Sequence, residues 1–358
     1  MLKIVHGLTK YFNFDPSQDL DYEYTNHYDS LRRINGVKVI PFFYDCVKDV
    51  GQEKMNQQLF QLIQKEKPDV FFTTMPNELL DKEMLLKIKT ITLSLGWFGD
   101  DHWHFDNCGK YWAPYMSWAT TTYSKAIPKY HKIGYMNVIY TQLGANNWIF
   151  TPPENPEDRM RFKYDVTLMG SYYPSRGKMI SAIQKSGINV GVWGTGWPNG
   201  RLPADQMNSL VHQTRINIDI NPHYSYVGVK PFVRFFFKRE NNSIKSDFLN
   251  VAGNIREWWQ KKIPLTKPRT FNSCAAGGFV ISQMTYDLSE YYEIGKEIVS
   301  FRTLPELIEK IKYYLKHEDE REEIARAGYI RTLRDHTYEK RFMEIFERIG
   351  VGRKVLPS

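Results

Sequence analysis

Short apolar runs alternate with helix-patterned segments along most of this chain, and that alternation limits the fold more than any other feature. Candidate strands occupy 1–5, 37–40, 68–72, 90–95, 119–123 and 137–140, then 164–169, 190–193, 216–220 and 279–281. Between them lie stretches with apolar residues at helical spacing. Tyr28, Leu31 and Ile34 mark one helix over 26–35, which Gly36 closes, and Leu59, Leu62 and Ile63 mark another over 55–66. Runs without polar alternation suit strands buried on both faces, and helices between such strands imply parallel crossovers. The pattern therefore predicts α/β layers with parallel sheets. At 358 residues the chain suggests two or three domains, each able to bury its own core.

The clearest break is Thr151-Pro152-Pro153-Glu154-Asn155-Pro156-Glu157-Asp158, where prolines and acids interrupt the pattern. It divides the chain into an N-terminal unit at 1–150, a linker at 151–160 and a second α/β unit at 161–335. The tail is helical. Segment 305–314 is amphipathic, 320–328 reads as another helix ended by Gly328, and a last helix falls within 336–358. Residues 230–267 read as an insertion carrying nine Lys/Arg against three Asp/Glu, with Phe232, Phe235, Phe236 and Phe237 among Lys230, Arg234, Lys238 and Arg239. Interleaved cations and rings fit a nucleic acid or a membrane surface, and they equally fit an extra hairpin or helix laid over the core.

Composition narrows the setting. Cys46, Cys108 and Cys274 stand far apart, in no metal spacing and in an odd number, which fits a reducing, cytoplasmic compartment. The first residues lack the apolar core of a signal peptide, and no window approaches the roughly 20 apolar residues of a membrane span. A net charge of +8 predicts anionic partners without choosing among them. Asp19-Leu20-Asp21 has the DxD form of metal-using sugar transferases but follows no strand, so no metal site is expected.

Four stretches carry candidate chemistry. Lys267-Pro268-Arg269-Thr270-Phe271-Asn272-Ser273-Cys274-Ala275-Ala276-Gly277-Gly278 predicts a helix starting after Pro268 and stopped by the glycine pair. Its amino end beside Lys267 and Arg269 is an anion site in waiting, or else an ordinary β/α connection. Gly170-Ser171-Tyr172-Tyr173-Pro174-Ser175-Arg176 places a glycine turn and an arginine after a strand, again suited to phosphate. Gly194-Thr195-Gly196-Trp197-Pro198-Asn199-Gly200 is a loop whose glycines let something approach the backbone. Gly96-Trp97-Phe98-Gly99-Asp100-Asp101-His102 ends a strand, where ligands bind in open α/β sheets. There one carboxylate can face the cleft as a base while the other braces the loop, or both can be caps.

Taken in order, these pieces resemble the CgeB-type spore-maturation proteins, which are GT-B glycosyltransferases of group 1. The resemblance runs from Asp165 to Phe346 through Gly170 to Arg176, Val192-Trp193-Gly194-Thr195-Gly196-Trp197, Lys267-Pro268-Arg269-Thr270-Phe271, Ala276-Gly277-Gly278, Tyr313-Tyr314-Leu315-Lys316-His317 and His336-Thr337-Tyr338. It is thinner before the linker, at Trp97 to Asp101 and Gly144-Ala145-Asn146. The layout is also similar to the bacteriophage DNA β-glucosyltransferases. The resemblance implies two Rossmann-like domains facing across a cleft, a nucleotide-diphosphate sugar as donor, and no cofactor or required metal. It implies an acceptor domain at 1–150 and a donor domain at 161–335. By the same resemblance the base falls on Asp100, with Asp101 second, and the diphosphate on Arg176 and Arg269. Gly170, Ser171, Gly194, Gly196, Lys267, Asn272 and Gly277 complete the expected donor site. One position departs: Asn272 stands where these families carry a glutamate for the donor ribose, keeping an acceptor oxygen without the charge.

Three functions follow as expectations. The first is metal-independent sugar transfer to an acceptor hydroxyl of a glycan, protein or DNA. The second is the DNA-base version of that reaction. The third is a non-catalytic GT-B scaffold binding nucleic acid or membrane through 230–267, since a fold does not fix a function.

Overall fold

The computed structural model describes residues 1–74, 77–154, 162–221, 232–233, 235–240 and 243–355. Part of the expected linker, 155–160, and Lys230 and Arg234 of the insertion lie outside the described residues. The strands are β1 Leu2–Leu8, β2 Val37–Phe43, β3 Val70–Thr74, β4 Leu93–Trp97, β5 Trp118–Thr121 and β6 Val138–Tyr140, then β7 Tyr164–Met169, β8 Val190–Trp193, β9 Thr214–Asp219, β10 Phe237–Glu240, β11 Ser243–Ser246, β12 Val280–Gln283 and β13 Val299–Phe301. The longer helices are α1 Gln52–Glu66, α2 Lys82–Ile91, α3 Pro174–Lys185, α4 Ala204–His212, α5 Val251–Gln260, α6 Pro268–Ala275, α7 Leu304–Tyr314, α8 Glu318–Asp335 and α9 Tyr338–Arg348.

Two parallel sheets result, ordered β2-β1-β3-β4-β5-β6 and β8-β7-β9-β12-β13. Each sheet reverses direction of travel beside its first strand, between β1 and β3 and between β7 and β9. Such switch points leave a crevice beyond the strands' carboxyl ends. The first sheet buries Val5, Leu59, Ile63, Phe71 and Leu85 on one face. On the other, Ile4, Phe72, Leu95 and Trp97 meet Tyr338, Phe342, Ile345 and Phe346 of α9. The last helix therefore returns to the first sheet. The second sheet packs Val166, Ile180 and Ile311 on one side, and Phe271, Cys274, Val280 and Leu288 on the other.

The two crossings between the sheets run side by side. Ala145 bridges Thr337, with Ala145 N donating to His336 O at 2.9 Å and Tyr338 N to Ala145 O at 3.0 Å. A Cβ on Gly144 would stand 2.7 Å from Tyr338 N, so only glycine permits this approach. Nearby, Gln142 Nε2 donates to Asp287 Oδ2 at 2.8 Å, and Asp287 Oδ1 accepts from Thr266 N at 2.9 Å, just before α6.

Several elements differ from the sequence reading. The helix expected over 26–35 is a π-helical turn, Glu23–Tyr28, running into Asp29–Leu31. Thr90 and Ile91 fall outside β4: Ile91 ends α2 and the strand starts at Leu93. Gly328 does not end a helix. It lies inside α8, where a Cβ would meet Glu297 O at 2.3 Å, so it is a packing glycine. The insertion holds both the β10–β11 hairpin and α5.

Candidate active site

The switch point of the second sheet gathers the cations. After β7, Gly170 adopts φ +151°, and a Cβ there would lie 3.0 Å from Arg269 Nη1 and 3.1 Å from Arg176 Nη1. Two guanidinium groups thus converge on one glycine. The end of β9 supplies their acceptors. Arg176 Nε donates to Ile220 O at 3.1 Å, and its Nη1 donates to Ser171 O. Arg269 Nη2 donates to Ile220 O at 3.2 Å, and its Nε pairs with the buried carboxylate of Asp219. Thr270 donates its hydroxyl to the other oxygen of Asp219.

Helix α6 opens at this point. Lys267 is its N-cap and Pro268 takes the first helical position, where a missing N–H is harmless. Lys267, Pro268, Arg269 and Asn272 line a cleft of about 490 Å³, together with Gly170, Met169 and Arg201. Across it stand Asp19, Leu20, Tyr22 and Asn26 of the first unit. Asn272 is buried, and its Oδ1 has no hydrogen-bond partner. A buried acceptor left unmet is costly, so this oxygen is ready for a donor from a bound molecule.

From the first sheet, Asp100 follows β4 and reaches Lys267. Its Oδ1 accepts from Lys267 Nζ at 2.8 Å. Asp100 holds φ +55°, a left-handed conformation aspartate tolerates better than most residues. Burial acts to raise its carboxyl, but the Lys267 ammonium, and then His102, outweigh that and hold it below the usual range. Asp101 goes the other way. It is 1% exposed and accepts from Tyr130 Oη at 2.9 Å. Burial pushes its carboxyl up to about 7, against hydrogen bonds from Thr121 and Tyr130. Burial likewise lowers His102 to about 4. The adjacent pair therefore splits, with Asp100 paired to the cleft residue Lys267 and Asp101 in the core.

The other expected site residues divide as well. Gly170, Lys267, Arg269 and Asn272 come together at the cleft, with Ser171 exposed beside Gly170. Arg176 is behind them, 1% exposed, bracing the Ser171 turn against Ile220. Gly194 and Gly196 do make room, but for the protein's own Gly170 backbone and Tyr172 side chain. A Cβ on Gly194 would stand 2.4 Å from Gly170 O, and one on Gly196 3.0 Å from Tyr172 Cβ. Tyr172 N donates to Thr195 O at 2.8 Å, and Trp197 Nε1 to Gly170 O at 2.8 Å, fastening the two loops together. Gly277, with φ +74°, terminates α6 at the end away from the cleft.

The aspartates of the DxD segment serve separate partners: Asp19 pairs with Arg201 at 3.4 Å, and Asp21 Oδ1 accepts from Glu23 N at 3.0 Å. Among the described residues no three His, Cys, Asp or Glu side chains cluster to hold a metal ion. Also among them, no helix is long and apolar enough to cross a membrane. Sequence reasoning missed Asp219. Its signal was a lone acid within the otherwise uncharged run Ile216-Asn217-Ile218-Asp219-Ile220, a position that demands a partner.

Residues 248–347 match the family model described as glycosyl transferase-like. No curated protein matches the chain. Among solved structures, the sucrose-phosphate synthase of Thermosynechococcus elongatus is similar over 98% of this chain and 98% of its own, at 8% identity and a TM-score of 0.60. HepE of Anabaena, in complex with UDP and glucose, is similar over 98% of this chain and 100% of its own, at 9% identity and a TM-score of 0.57. A glycosyltransferase from Rickettsia africae is similar over 100% and 99%, at 10% identity and a TM-score of 0.57. The likeness at such identities is one of fold, and the fold is GT-B.

Proposed function

We propose that this protein is a glycosyltransferase that moves a sugar from a nucleotide-diphosphate donor to an acceptor hydroxyl without a required metal. The observation that carries the reading is the convergence of Arg269 and Lys267 with the start of α6 on the cleft at the second sheet's switch point. Sugar transfer builds negative charge on the leaving diphosphate. Cations and N–H dipoles fixed in advance stabilise that charge without reorganising at the moment of reaction. In this reading Arg269 and Lys267 meet the diphosphate, Arg176 keeps the Gly170–Ser171 turn in shape, and Asn272 Oδ1 accepts from a donor hydroxyl. Asp100 takes the acceptor proton as the anomeric carbon is attacked and the bond to the diphosphate breaks. The complexes of HepE with UDP and UDP-glucose support the donor class. The glycosyl transferase-like match supports the reaction class. The finer likeness to the CgeB-type proteins rests on the ordered motifs from Gly170 to Tyr338.

The test has two parts. Calorimetry with UDP and other nucleoside diphosphates measures donor binding, and incubation with nucleotide sugars measures product or donor hydrolysis. Binding together with slow donor hydrolysis supports the reading. Absence of nucleotide binding across the four common bases refutes it.

A further inference from the structure

Helix α5 is built inside out. Its buried polar residue is Asn254, whose Nδ2 donates to Phe235 O at 3.0 Å and to Asp247 Oδ2 at 2.9 Å. Its outward face carries Ile255 and Trp259, four residues apart and both exposed, Trp259 by 61%. A helix on a wetted surface has the opposite arrangement. The apolar surface continues beyond the helix. Phe232 and Phe248 are each 60% exposed, and Val233 and Phe237 are exposed as well. Ring contacts join these residues into one patch: Phe248 to Phe236 at 5.6 Å, Phe236 to Phe232 at 5.3 Å, Phe232 to Phe235 at 6.2 Å, Phe235 to Trp258 at 6.0 Å and Trp258 to Trp259 at 5.1 Å. Cations rim it. Lys262 Nζ sits 3.4 Å from the Trp258 ring centre and 4.0 Å from that of Trp259, and Arg256 lies exposed beside Ile255. A contiguous exposed apolar patch with such a rim marks an interaction site.

We propose that this face docks on an anionic lipid bilayer. Charge complementarity points there: Lys262 and Arg256 rim the face, and the surrounding segment 230–266 carries eight Lys/Arg against three Asp/Glu, Lys267 belonging to the cleft. The packing favours lipid over nucleic acid. A strand-binding track offers separate open ring faces for bases. Here Phe232 and Phe236 meet at 62°, Phe237 and Phe248 at 70°, and Trp258 and Trp259 at 79°, so the rings form no row of parallel platforms for successive bases. The aliphatic side chains of Val233 and Ile255 offer nothing to a base or phosphate, but they partition into the acyl boundary as indoles and lysines settle at the headgroups.

Behind the patch, α5 packs against the segment that follows Asp100. Asn107 donates to Glu257 of α5, and Lys261 Nζ lies 4.1 Å from the ring centre of Trp103, in the segment that follows Asp100. Docking through α5 would therefore hold the Asp100 segment close to the membrane surface. Resting on the function proposed above, the acceptor is a hydroxyl on a membrane-borne molecule.

Co-sedimentation of the full chain with vesicles tests the docking directly. The expected result is pelleting with phosphatidylcholine vesicles containing phosphatidylglycerol, and none with phosphatidylcholine alone. The double substitution F248S/W259S should weaken vesicle affinity about tenfold or more, since each ring loses its burial in lipid. An unchanged melting temperature checks that the variant is folded. Equal pelleting of the variant, or no pelleting of the wild type, overturns the proposal. So does a single-stranded oligonucleotide that displaces the wild type from vesicles and binds the variant poorly. Vesicle binding without nucleotide binding would refute the transferase reading and leave the docking face standing.

Discussion

The ion pair between Lys267 and Asp100 joins the donor loop to the candidate base, and Asp100→Asn probes both ends of it. Loss of a general base by itself lowers turnover and leaves donor affinity unchanged. The contact changes that expectation. At 2.8 Å the attraction is about 1.5 kcal/mol in bulk water and about 6 kcal/mol at an effective dielectric of 20. The side chains are 27% and 42% exposed, so solvent screening reduces the net worth to about 0.5–1 kcal/mol. A donor diphosphate must draw Lys267 away from Asp100 at that cost. Removing the carboxylate's charge should then raise nucleoside-diphosphate affinity about two- to fivefold, as turnover falls about 10²–10⁴-fold. Asparagine is a clean replacement because it too tolerates the left-handed backbone at this position. Calorimetry with UDP at low and high salt, paired with single-turnover rates, measures both effects. If affinity is unchanged or falls at low salt, Lys267 is not shared between base and donor, and the coupling argument fails.

Arg269→Ala should weaken nucleoside-diphosphate binding by about 1.5–3 kcal/mol, read by calorimetry. It should also lower the melting temperature, because Asp219 would keep a buried charge with one partner fewer. Turnover should survive EDTA, and loss on chelation restored by manganese or magnesium would overturn the metal-free reaction. Asp101 has its folded pKa raised to about 7, so its contribution is full below about pH 4 and fades as pH rises toward 7. Wild type should therefore lose on the order of a few kcal/mol relative to Asp101→Asn across that window, and denaturant midpoints at pH 5 and pH 8 would show it. Gly194→Ala puts a Cβ 2.4 Å from Gly170 O at a φ of +138°, so a melting-temperature drop equivalent to about 2–3 kcal/mol is expected.

The parallel strands were legible because burial on both faces forces apolar runs. The start of α6 was legible too, from Lys267, Pro268 and Arg269. What could not be read was long-range pairing. Lys267 and Asp100 are 167 residues apart, and the partners of Asp219 lie 50 and 51 residues downstream. Glycine was the most ambiguous letter. The same residue type makes room for guanidinium groups at Gly170, for a neighbouring loop at Gly194 and for another segment's carbonyl at Gly328. Only three-dimensional neighbours separate those uses. The outward apolar face of α5 ran against the rule by which amphipathic helices are found, so the sequence registered its composition without its direction.

The return of α9 to the first sheet has a consequence for the order of assembly. Tyr338, Phe342, Ile345 and Phe346 cover Ile4, Phe72, Leu95 and Trp97. Between the end of β6 at Tyr140 and Phe346 lie roughly 200 residues, which a ribosome adds in roughly 10–40 s. For that interval the first sheet is complete in strands but bare on one face, a surface that aggregates or engages a chaperone. An N-terminal fragment ending at the linker is consequently not an independent folding unit. Helix α9 completes the cover of the first sheet only after the strands of the second have been made, so the two sheets become stable together.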